Sequence, residues 1–88
     1  MITDGTIMIA KNGLNSSKTV ITAYGTGDKY SIADDAVVYK YDTGDKKYTV
    51  AKLSSLKAGN TVTLYDTKGD DANGIASVVI FIDTDLPN

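Results

Sequence analysis

Cysteine, histidine, tryptophan, arginine, glutamate and glutamine are all missing from this 88-residue chain, and proline occurs once. Without cysteine there is no disulfide framework, no thiolate chemistry and no thiolate zinc site, and the redox compartment is left open. Without histidine, a serine or threonine nucleophile would have only lysine or aspartate as a base. The neighbouring acids Asp34–Asp35 and Asp70–Asp71 do not replace that machinery. Adjacent residues of an extended strand point to opposite faces, whereas a glycosidase needs its two carboxyl groups flanking one cleft. The expectation is a protein that is not an enzyme and uses no cofactor.

Two further absences bear on partners. No apolar segment approaches the length needed to cross a bilayer, and MITDGTIMIAKNG lacks the basic region and apolar stretch of an export signal, so no membrane insertion is expected. Every cation is lysine and every anion aspartate, nine against eleven, for a net charge of −2 and a pI near 4.7. The lysines are scattered along the chain and form no stripe. A phosphate-tracking groove is therefore not expected, and nucleic acid is not among the expected partners.

The residues that are present favour one fold class. The missing Glu, Gln and Arg are helix formers, while the abundant Asp, Asn, Gly, Thr, Val, Ile and Tyr favour turns and strands. Strands are expected at 6–11, 19–24, 29–33, 37–41, 47–51, 62–65 and 75–82, with the third and fourth joining as one bent strand around Asp34 and Asp35. The result is an all-β protein, a small OB-like or related barrel of six or seven strands, comprising residues 1–88 as a single module. In TVTLY, Val62 and Leu64 share the core face. In SVVIFI both faces are apolar, Val78, Ile80 and Ile82 against Val79 and Phe81. That pattern suits a central strand or one covered by a partner, and Val79 and Phe81 are the expected contact for an adjoining module.

Between the fifth and sixth strands, LSSLKAGN predicts one short helical turn. Ser54 or Ser55 would cap it, Leu53 and Leu56 would plug a barrel end, and Gly59 would close it with a left-handed residue. YGTGDKY, YDTGDKKY and YDTKGDDANG look like one hairpin solution used three times, glycine supplying positive φ and aspartate bonding its own backbone. The third is acidic enough to raise a calcium loop, with Asp66, Asp70, Asp71 and Asn73 as irregular ligands. Counted from Asp66, however, the positions that should carry oxygen ligands, glycine and the closing glutamate hold Lys68, Asp71 and Ser77. A solvated corner is the reading adopted, with no metal. Tyr39 and Tyr41 share a face with Val37, and Tyr48 can pair across the hairpin. The bland account has these rings completing a small core; the sharper one has them contacting a glycan or a partner.

The segments GTIMIAKN, YSIADDAVVYKY, LSSLKAGNTVTLYD and GIASVVIFI together resemble a small β-barrel module of bacterial cell-surface proteins, often in tandem and in chains that also carry S-layer-homology domains. The most specific part is Leu56-x-x-Gly59-x-x-Val62-x-Leu64, followed by a glycine-containing turn and a terminal Val/Ile strand. The resemblance implies an extracellular, cell-surface or wall-associated setting within a longer chain. It also implies a structural, display or interaction role, with neighbouring modules or cell-wall polymers as partners. A cell-wall glycan-binding module using Tyr39, Tyr41 and Tyr48 is the alternative from another class. No functional residue carries over from the resemblance.

Overall fold

Among the described residues six strands form where the apolar runs lie: β1 Ile7–Leu14, β2 Val20–Ala23, β3 Lys29–Asp42, β4 Lys47–Ala51, β5 Thr61–Tyr65 and β6 Ile75–Ile82. The computed structural model describes residues 6–66 and 74–87. β1, β2, β3, β6 and β5 pair in that order and return to β1, so five strands close a barrel. Only β3 and β6 run parallel. This is the expected small all-β barrel, with five of its strands in the closed ring and one outside it. The extra strand, β4, pairs with the C-terminal part of β3, from Val38 to Asp42, while β2 holds its start, Lys29 to Ser31.

Closing so few strands requires sharp bends, and two bulges supply them. Ile9 faces Ala23 and Leu14 faces Ile21, so β1 advances five residues while β2 retreats two. Asn12 takes a left-handed φ of 58° there. A Cβ on the adjoining Gly13 would stand 2.8 Å from the carbonyl oxygens of Ala10 and Thr22, so only glycine lets the two backbones approach. In β3, Ile32 faces Ala76 and Val37 faces Val78, five steps against two. The excursion contains Asp34 and Asp35, both exposed, which explains how one long strand carries two adjacent acids. The two expected runs on either side of them are one bent strand.

The barrel interior is filled by Ile9, Ile21, Ile32, Val38, Val62, Leu64, Ala76, Val79 and Phe81, with Leu56 among them. Alternation selects most of these: Val62 and Leu64 point inward, and Thr61, Thr63 and Tyr65 point away. Val79 and Phe81 are interior residues, which overturns their assignment as the contact for an adjoining module. The outward residues of β6 are Val78, Ile80 and Ile82, each half-buried.

A single 3₁₀ turn, Leu53–Ser55, precedes Leu56, whose side chain is fully buried in the core, while Leu53 packs partly buried against it. Leu56 is buried as expected and Leu53 only in part, and the turn starts from Lys52, with neither Ser54 nor Ser55 as its N-cap. Ser55 Oγ accepts the Lys52 N–H at 3.4 Å, bracing the turn from its far end. Gly59 belongs to a second turn, in which the Asn60 N–H donates to the Lys57 carbonyl. Its φ is +93°, and a Cβ there would sit 2.6 Å from the Leu86 nitrogen, so conformation and space both demand glycine. Lys18 Nζ donates to the carbonyls of Ser54 at 2.9 Å and Leu56 at 2.6 Å, tying the β1–β2 loop to the plug.

The chain after β6 is held by the same turn. Asn60 is fully buried and fully used: its Oδ1 accepts the Lys57 N–H, and its Nδ2 donates to Asp83 Oδ1 and the Thr84 carbonyl. Thr84 Oγ1 donates to the Gly59 carbonyl and lies 2.8 Å from Thr61 Oγ1. A buried amide with both ends bonded fixes position as well as energy.

Candidate functional site

Strand register carries the three tyrosines to one place. Tyr41 faces Tyr48 and Tyr39 faces Val50 across the β3–β4 hairpin. On the other side of β3, Tyr39 faces Ile80, which in turn faces Thr63 on β5. Val50, Tyr39, Ile80 and Thr63 thus form one row across the outer surface of four strands, and Val37, Val78 and Tyr65 form a second. The rings of Tyr41 and Tyr48 lie 4.7 Å apart, tilted by 49°. That separation is typical of offset or tilted aromatic pairs.

None of the three rings belongs to the core, which overturns the bland account of them. Tyr39 and Tyr41 are half-buried in the outer face, and Tyr48 is 62% exposed. Beside it Val50 is 77% exposed and Val37 is 46% exposed. The aromatic that does fill the interior is Phe81, with Tyr30 packed against its rim. No residue of β4 is buried, because the strand lies beside β3 and outside the closed ring, and no described residue pairs with its far edge.

A cleft of about 330 Å³ opens between β4, where Val50 and Ala51 border it, the plug and the start of the C-terminal segment. Lys40, Thr49, Ser55, Lys57, Phe81 and Asp83 also line it. Lys57 and Asp83 pair across it at 3.3 Å, both well exposed, so the pair contributes little to stability. Sequence reasoning did not find this cleft, since its walls come from four separate segments and share no local pattern.

The remaining candidates separate. Among the described residues no group of three or more metal-ligating side chains comes together. Asp66 follows β5 and is half-buried, while Asp70, Asp71 and Asn73 of the calcium reading lie outside the described residues. The two described hairpin turns are not copies. Between β2 and β3, Gly25 and Gly27 take positive φ, and Thr26 Oγ1 accepts the Asp28 N–H. Between β3 and β4, Asp42 Oδ1 accepts the N–H groups of Gly44 and Asp45, and the left-handed residue is Lys46. The shared Thr-Gly-Asp letters therefore serve different backbone solutions.

No helix among the described residues is long and apolar enough to cross a membrane, which leaves strand-based insertion unaddressed. Comparison with known proteins finds no matching family model, no matching curated protein and no matching solved structure.

Proposed function

We propose that this chain is a non-catalytic interaction or structural module that works through the outer face of its β3–β4 hairpin. The observation that carries this reading is a concentration of exposed apolar side chains. Of five large apolar residues exposed among the described residues, Val37, Tyr48 and Val50 share this one face, joined by half-buried Tyr39 and Tyr41. An isolated exposed valine needs no explanation, but a contiguous aliphatic and aromatic surface is the usual mark of a contact site. The setting in a cell-surface or S-layer-associated protein rests on the sequence resemblance, as do neighbouring modules as partners.

The second reading is a cell-wall glycan site on Tyr39, Tyr41 and Tyr48, and the pairing of exposed Tyr48 with half-buried Tyr41 favours it, since aromatic rings stack on the apolar faces of sugars. One titration separates the two. Labelled protein is followed by amide shifts against peptidoglycan fragments, secondary wall polymers and single-stranded oligonucleotides. The module reading expects no saturable shift with any of them, and protection of the Val37–Val50 face when an adjoining module is present in the same chain. Saturable shifts centred on Tyr39, Tyr41 and Tyr48 with a wall polymer would transfer the function to the glycan reading. Scattered shifts that vanish with salt report charge contact alone.

A further inference from the structure

We propose that the free edge of β4 accepts an added antiparallel strand from an extended, acidic polypeptide segment, one with apolar residues at alternate central positions and aspartate or glutamate at its ends. The inference rests on the interaction-module reading and names the class of partner. Its first support is geometric. β4 pairs with β3 on one side only, no described residue occupies its other side, and Lys52 continues the strand in extended conformation with φ −132° and ψ 160°. An edge of this kind presents unpaired backbone N–H and C=O groups, the template on which strand addition works. Tyr48 and Val50 stand beside it as the two most exposed large apolar residues described.

Charge selects the occupant. From residue 40 to residue 52 the hairpin holds Lys40, Lys46, Lys47 and Lys52 against Asp42 and Asp45, an excess of cation in a chain whose net charge is −2. Asp42 is moreover drawn into the turn by two backbone N–H groups. In a parallel in-register pairing of two β4 strands Lys47 would meet Lys47 and Lys52 would meet Lys52, and an antiparallel pairing centred on Thr49 would bring the lysine-bearing ends of the two copies together. Lysines at both ends of an edge strand oppose such self-association. The same lysines favour a strand with acids at its ends, and Tyr48 and Val50 require apolar residues between them.

The probe is the blocked peptide Asp-Ser-Val-Thr-Val-Asp-Gly, whose two aspartates fall opposite Lys52 and Lys47 and whose valines fall opposite Val50 and Tyr48 in antiparallel register. At roughly millimolar peptide and low salt it should give saturable amide shifts on Lys47–Ala51 and slow the exchange of β4 amides. The exposed double variant Lys47→Asp/Lys52→Asp should bind it about tenfold more weakly and should prefer the peptide in which lysines replace the aspartates. Absence of saturable shifts, or shifts that the charge reversal leaves unchanged, would overturn the proposal. Concentration-dependent protection of β4 without peptide would also overturn it, assigning the edge to a second copy. If a wall glycan shifts Tyr41 and Tyr48 while the peptide does nothing, strand addition fails and the interaction-module reading survives with a different ligand.

Discussion

β6 and β4 flank the same strand, and β3 treats them differently. β6 has β5 on its far side and the barrel interior beneath it, so Ala76, Ser77, Val79 and Phe81 are all buried. β4 alternates cleanly, KYTVA, yet none of its residues is buried. Both strands take full register with β3 from Val38 to Lys40. Backbone pairing therefore does not bring burial; a layer underneath and a neighbour beyond do. The composition follows the same division, with apolar residues on both faces of β6 and lysines at the ends of β4, where an open edge would otherwise recruit strands indiscriminately.

The largest expected effect lies at the plug, because Leu56 closes the core that gives β6 its buried face. Leu56→Ala should lower stability by about 2–5 kcal/mol in denaturant melts, through lost transfer energy and the cavity left behind. A loss below roughly 0.5 kcal/mol would mean that the barrel end is not closed by this residue.

The sharpest test uses one residue type on both flanks of β3. Val79→Ala should cost about 1.5–3 kcal/mol, since the side chain is fully removed from water, and Val50→Ala should fall within about 0.5 kcal/mol of wild type. Equal losses would erase the distinction between the two strands. Native-state hydrogen exchange offers the same contrast without mutation: β4 amides should exchange through local opening of the hairpin, and β6 amides only through global unfolding.

Asn60→Ala removes the buried amide that accepts the Lys57 N–H and donates to Asp83 and Thr84, and about 1–3 kcal/mol should be lost with those hydrogen bonds. Faster exchange at the C-terminal segment should accompany the loss. If that segment keeps its protection, the Thr84 hydroxyl and not Asn60 anchors it.

The smallest effect is expected from calcium at about 1 mM. A site with a Kd near 10 μM would add roughly 2.7 kcal/mol under those conditions. No change in melting temperature is expected, and a rise of several degrees that Asp70→Asn abolishes would reinstate the acidic corner as a calcium site.

The sequence by itself determined the all-β class, the bounds of β4 and β6, the inward pair Val62 and Leu64, the bend at Asp34–Asp35 and the burial of Leu56. All of these follow from local signals: period-two alternation, turn residues, and the absence of helix formers. Tertiary structure decided the rest. Tyr39, Tyr41 and Tyr48 read first as core and only second as surface, and the structure reverses that order, because alternation says which residues share a face and not which face is covered. The five-strand closure that leaves β4 outside the ring put them on the outer surface. It also turned Val79 and Phe81 inward, gave two similar hairpin sequences different turns, and gathered Lys40, Thr49, Lys57 and Asp83 around one cleft. The physical reason is common to each case: burial, turn geometry and cleft formation depend on which distant segment comes to lie alongside, and a period read along one strand carries no information about its neighbours.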